Sequence, residues 1–164
     1  MFQFQSYRNA DIIEPPGEEG FGGIHLGNWQ SVKDFDYLEK HKITHVVTAL
    51  PKTLCEIKEL SKFGIIQHQV HAEDNPSFDI YPTFHTTADF INDSLSKGNV
   101  LVHCAAGISR STACLLTYYI KHRGMNTEAA LSFIRQKRSC ASPNFGFVKA
   151  LKAFEQNVGT KPMF

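Results

Sequence analysis

The sequence predicts a single compact α/β domain with a central, mostly parallel sheet of about four to five strands and helices packed around it. Three observations carry this prediction. Short β-branched and apolar runs at Ile43 to Leu50, Gly64 to Val70 and Asn99 to His103 are bounded by turn formers or charge, as buried strands are. Between and after them, apolar residues recur at helical spacing. With 164 residues, of which 42% are hydrophobic and 20% charged, the chain suits one ordinary globular domain, with neither internal repeat nor linker.

Among the helices, Phe84, Ala88, Ile91 and Leu95 are spaced four, three and four apart and form one apolar stripe. Asp79 is the expected N-cap there, with Pro82 tolerated in the first turn. A second helix is expected from Arg110 to about His122, with Ala113, Leu116 and Ile120 inward and Gly124 ending it. A third runs from Thr127 to Lys137. Ser142, Pro143 and Asn144 then break the chain before a last amphipathic helix carrying Phe147, Val148, Leu151 and Phe154. Residues 1–157 read as the folded domain and 158–164 as a loose tail. Helices clustered in the carboxyl half are expected to pack several together on one side of the sheet.

Seventeen basic against sixteen acidic residues give a net charge of +1, which supplies no global field for nucleic acid or an anionic membrane. Any hold on an anion must be local. Met1 to Ala10 has no apolar signal core, and no run reaches bilayer length, so the reading is a soluble, intracellular monomer, cytoplasmic with the nucleus also open to it. The four cysteines are too widely spaced for a disulfide framework. His68 and His71, three apart in a strand, point to opposite faces, so neither a metal site nor a cofactor is expected.

The chemistry lies in Asn99-Val100-Leu101-Val102-His103-Cys104-Ala105-Ala106-Gly107-Ile108-Ser109-Arg110-Ser111-Thr112, a buried strand running into a small-residue loop and then a helix. Such a turn aims successive backbone N–H groups, those of Ala105, Ala106, Gly107, Ile108, Ser109 and Arg110, at one spot at the positive end of the helix dipole. Gly107 suits a backbone turn that other residues resist. The field that holds a phosphate also favours the thiolate of Cys104, so nucleophile and anion site coincide. Arg110, six residues on, can fold back and grip phosphoryl oxygens with a two-pronged fork that lysine lacks. A cysteine followed six positions later by an arginine is by itself a weak signal; the whole string in its strand-loop-helix setting is a strong one.

His103 to Ser111 resembles the signature loop of dual-specificity phosphatases within the cysteine-based protein tyrosine phosphatase superfamily. The resemblance covers most of the chain. It includes Gly27 with the acidic-aromatic helix after it, Ile43-Thr44-His45-Val46-Val47, the loop around Asp74, and Ser142-Pro143-Asn144-Phe145-Gly146-Phe147. It is closest to the small, atypical, catalytic-domain-only members. It implies a protein tyrosine phosphatase-like fold, and hydrolysis of phosphotyrosine and of phosphoserine or phosphothreonine in proteins through a phosphocysteine intermediate.

It also implies a proton donor upstream of the signature, followed by an aliphatic at plus six and an aromatic at plus ten. Asp74, Ile80 and Phe84 fit; Glu73, Asp79 and Asp89 are rivals, Asp79 reading as a cap and Asp89 as helix surface. Expulsion of an alkoxide needs a proton, which a loop carboxyl can give before activating water. Ser111 is placed to donate to the Cys104 sulfur, His103 to order the loop through backbone bonds, and Asn144 either to lie near the pocket or to cap the last helix. Alternatives are a phosphatase of a phosphoinositide, glucan or RNA 5′-phosphate, or a pseudophosphatase that binds phosphorylated partners without turning them over. Ala105-Ala106 lacks the lysines of the lipid enzymes. Cys55, Cys114 and Cys140 read as packing residues, with a disulfide to oxidised Cys104 as the other possibility.

Overall fold

The computed structural model describes residues 7–159. Five strands form one sheet: β1 (Ala10–Glu14), β2 (Ile24–Gly27), β3 (Ile43–Leu50), β4 (Ile66–His71) and β5 (Asn99–His103). Their order is β1-β2-β5-β3-β4; β1 runs antiparallel to β2 and every other pair is parallel. The sheet is thus mostly parallel, as expected. β3 and β5 lie where the apolar runs put them, whereas β4 starts two residues later than Gly64 and ends at His71.

β5 sits in the middle, hydrogen-bonded to β2 on one side and β3 on the other, and all five of its residues are buried. Its side chains alternate between two cores, as the period of a strand requires. Val100 and Val102 join Val47, Ala49 and Val70 beneath α5 (Phe84–Leu95), α6 (Arg110–Arg123), α7 (Thr127–Arg135) and α8 (Phe145–Gly159). Leu101 joins Val46, Ile43, Val32, Leu38 and Leu60 on the other face, under α1 (Trp29–Lys33), α2 (Phe35–Lys40) and α4 (Glu59–Lys62); α3 (Lys52–Cys55) follows β3. The carboxyl-half helices therefore do share one side of the sheet. His68 meets Thr87 and Phe90 of α5, while His71 meets Gln69, so the two histidines do face opposite ways.

Two local expectations need correction. Asp79 caps no helix: the chain enters α5 through a 3₁₀ turn, Tyr81–Thr83, whose helical backbone already begins at Ile80. The Thr83 hydroxyl bonds back to the Ile80 carbonyl at 2.8 Å, and no side chain caps α5. Val158 and Gly159, read as the start of a loose tail, are the last residues of α8; 160–164 lie outside the described residues. Gly124 does end α6, in the left-handed conformation at φ 66°, with its N–H on the Tyr119 carbonyl. Among the described residues no helix is long and apolar enough to cross a membrane.

Candidate active site

In open parallel sheets, ligands bind beyond the carboxyl ends of the strands. Here β5 ends at His103, and 104–109 turn from the sheet into the first residue of α6. Cys104 opens that turn almost fully buried, at 2% exposure. Its Sγ lies 3.1 Å from the Ser111 hydroxyl and accepts from the Gly107 N–H at 3.3 Å, so a hydroxyl and an amide converge on the sulfur.

The loop is held from outside by its carbonyls. His103 Nδ1 donates to the Cys104 carbonyl (3.2 Å), the Trp29 N–H to that of Ala105 (3.0 Å), Arg138 Nε to that of Gly107 (2.9 Å) and the Ser142 N–H to that of Ile108 (2.8 Å). The Ser109 hydroxyl accepts from the Asn144 N–H at 2.9 Å. With the carbonyls engaged outward, the amides of Ala105, Ala106, Ile108, Ser109 and Arg110 meet no protein acceptor among the described residues. Those N–H groups lie at the amino end of a fourteen-residue helix, an arrangement that could hold a tetrahedral anion. Gly107 has φ 70°, and a Cβ there would come within 2.6 Å of Arg138 Nη2 and 2.7 Å of the Gly27 backbone, so only glycine fits.

Arg110 folds back from the start of α6, and its Nη1 donates to the Ala72 carbonyl at 3.2 Å. Its Nε is buried without a protein partner among the described residues, a state costing about 1–3 kcal/mol that a phosphoryl oxygen would relieve. The same Ala72 starts the loop that carries Asp74. Asp74 is exposed, and its Oδ1 accepts from Asn144 Nδ2 at 3.0 Å. The turn after it is made by Asn75, whose Oδ1 accepts from the Ser77 N–H and hydroxyl. Asn144 Oδ1 also caps α8, accepting from the Phe147 N–H at 2.9 Å. Of the rival carboxylates, Asp89 pairs with Lys121 and His122 on the helix surface and faces none of these groups.

His103 is buried and its pKa is lowered to about 4, chiefly by desolvation, so it is neutral near pH 7. Its tautomer follows from its neighbours. The Cys104 carbonyl can only accept, so the ring proton sits on Nδ1, and Nε2 of the neutral ring accepts from the Thr48 hydroxyl (2.8 Å), which in turn accepts from Gln67 Nε2 (2.7 Å). The histidine thus orders the loop and carries no transferable charge. Cys55 and Cys114 are buried thiols pushed up by that burial, and both are free, as is Cys140. Among the described residues no group of three His, Cys, Asp or Glu side chains could hold a metal.

Sequence reasoning missed Trp29, Thr48, Gln67 and Arg138. Arg138 is the largest omission: 2% exposed, it donates to the Gly107 and Arg8 carbonyls and to Asp11 Oδ2 at 2.9 Å. No local pattern marks it, because Asp11 lies 127 residues away.

Known proteins are similar to this chain in sequence and in fold. Residues 24–157 match the family described as Dual specificity phosphatase, catalytic domain. A probable rhodanese domain-containing dual specificity protein phosphatase of Dictyostelium discoideum is 38% identical over 136 residues, 82% of this chain and 28% of its own length. Human dual specificity protein phosphatase 22 is 32% identical over 136 residues, which are 82% of this chain and 71% of the relative. The chain thus spans under a third of the first relative and most of the second. Among solved structures, the human tyrosine phosphatase-like serine/threonine/tyrosine-interacting protein superposes with a TM-score of 0.78 at 30% identity, covering 92% of this chain and 98% of that one. Human DUSP28, at 21% identity, shares the fold with a TM-score of 0.81 over 94% of this chain and 98% of its own. A sheet that delivers a cysteine into an amide cradle, matched over four-fifths of the sequence, leaves one assignment: the chain belongs to the dual specificity phosphatase family.

Proposed function

We propose that the chain hydrolyses phosphotyrosine, and also phosphoserine and phosphothreonine, in protein substrates by two displacements at phosphorus through a phosphocysteine on Cys104. The observation that carries this reading is the convergence on one buried thiol of the Ser111 hydroxyl and the Gly107 amide, in a loop where the amides of Ala105, Ala106, Ile108, Ser109 and Arg110 meet no protein acceptor among the described residues.

In the first step the Cys104 sulfur attacks phosphorus, the ester P–O bond breaks, and the Asp74 carboxyl gives its proton to the departing oxygen. The amides of Ala105, Ala106, Ile108, Ser109 and Arg110 and the Arg110 fork hold the three equatorial oxygens, where charge is greatest in the transition state. In the second step Asp74, now a carboxylate, takes a proton from water as that water attacks phosphorus. The P–S bond breaks, and the thiolate leaves onto the Ser111 hydroxyl and the Gly107 amide. The Asn144 amide donates to the Asp74 carboxyl group and aims it in both steps. One copy of the chain supplies every group named, which supports a monomer as the working unit. Ala105 and Ala106 are exposed and uncharged, so the loop offers no cation for the additional phosphates of an inositol lipid.

The test is phosphate release from matched phosphotyrosine and phosphothreonine peptides in EDTA, with wild type and Cys104→Ser compared. Release from both peptides by wild type, abolished in the variant, is expected. Release from phosphoinositides alone would move the substrate to a lipid. Tight phosphopeptide binding without release would make the chain a binding module.

A further inference from the structure

Phe145 is the most exposed large apolar side chain among the described residues, at 78%. A single exposed hydrophobe is ordinary on a protein surface. What distinguishes this one is how its two sequence neighbours are fastened. Asn144 is bonded through its side chain to Asp74 and through its N–H to Ser109, so it bridges the proton-donor loop and the phosphate loop. Gly146 lies so close to Pro76 that no Cβ fits between it and the Pro76 carbonyl. The backbone at 144–146 is therefore pinned between the two loops that a substrate must reach, while the ring between its fixed points faces water.

The phosphorylated side chain itself has to descend to Cys104, which is only 2% exposed. Its ester oxygen must come within a hydrogen bond of Asp74. Phe145 Cα is one trans-peptide step, about 3.8 Å, from the Cα of the residue that holds that carboxylate. The substrate main chain, left at the rim, must then run past the ring. On the two loops themselves, Ala105 and Ala106 are exposed without charge, Ile108 is half-buried, and Glu73 and Asp74 are exposed and acidic. An acidic flanking residue finds no cation there, and an apolar one finds an aromatic face on an already ordered backbone, so little further entropy is lost on contact.

Resting on the phosphatase reading above, we propose that Phe145 is a specificity-determining residue, which packs on an apolar or aromatic side chain adjacent to the phosphorylated residue of the protein substrate.

Two phosphotyrosine peptides that differ only at the positions flanking the phosphotyrosine, leucine in one and serine in the other, test it. Wild type is expected to favour the leucine peptide in kcat/KM by about three- to ten-fold, the size of one apolar contact at a partly open rim. Phe145→Ala should bring that ratio near one by raising KM for the leucine peptide, and Phe145→Trp should keep it. Because the side chain is exposed, neither change threatens folding. A ratio unchanged in Phe145→Ala, equal losses on both peptides, or no preference in wild type overturns the assignment alone. A wild type silent on both peptides overturns the phosphatase reading and this inference with it.

Discussion

The loop at 104–109, proposed to hold phosphate, and the loop around Asp74, proposed to supply the acid, face each other across the candidate site, yet they are held in opposite ways. The first is gripped from several parts of the chain: His103 at the end of β5, Trp29 at the start of α1, Arg138 after α7, and Ser142 and Asn144 in the strap before α8. The second is braced by its own Asn75 turn, by Arg110 on the Ala72 carbonyl, and by one amide on an otherwise exposed Asp74. The contrast follows from the work proposed for each. Dipoles that stabilise a transition state are effective only if aimed beforehand, whereas a carboxyl that gives a proton and then takes one back from water needs freedom to adjust.

The largest effect should come from breaking the grip beneath the rigid loop. Arg138→Leu leaves Asp11 without its cation and the buried Gly107 carbonyl without a donor, which should cost about 3–5 kcal/mol in urea unfolding and lower kcat as well. A loss below about 1 kcal/mol would show that the loop holds itself. Next is Arg110→Lys, which keeps the charge but loses the fork. Turnover should fall at least about 100-fold with little change in melting temperature, and a nearly normal rate would remove Arg110 from the reaction.

Changes on the adjustable side should act on chemistry and spare the fold. Asp74→Ala is expected to lower kcat by about 10- to 100-fold on an alkyl phosphate and less on p-nitrophenyl phosphate, whose leaving anion needs little protonation. Equal losses on the two esters would move the acid role elsewhere. The smallest effect is one of pH. Burial lowers the pKa of both His103 and His25 from 6.5 to about 4. The unfolded chain therefore takes up protons first as pH falls. The stability these neutral rings contribute is complete above pH 6.5 and is lost progressively between 6.5 and about 4. At about pH 5.5 each should cost on the order of 1 kcal/mol. His103→Asn should flatten that slope in urea midpoints compared at about pH 7 and 5.5, and an unchanged slope would mean that His103 takes up its proton at the same pH in the folded and the unfolded chain.

What could be read from the sequence follows the range of the interactions. β3, β5 and α6 were legible because their apolar runs and Gly124 are local signals, and the stretch from His103 to Ser111 is contiguous. β1 was not, since its five residues are mostly part-exposed and show no clean alternation. α3 and α4 have four residues each, too few to display a period. Asp79 was misread because a cap preference says nothing of a 3₁₀ entry. Arg138 and Asn144 escaped or stayed ambiguous for a different reason: the bonds that define them reach Asp11, Gly107 and Asp74, at separations of 127, 31 and 70 residues.

Arg138 also redraws the edge of the unit that must fold together. Similarity to the family begins at residue 24, but two of the three acceptors of the Arg138 guanidinium, the Arg8 carbonyl and Asp11, lie upstream of it. The Asn9 carbonyl that accepts from the Asn28 N–H, and Glu14, which takes the Tyr119 hydroxyl at 2.6 Å, are upstream too. A protease nicking the chain just after Glu14 would cut no residue proposed to touch the substrate. It would nevertheless free the segment on which Arg138 braces the Gly107 turn, so activity and protection from proteolysis should disappear together.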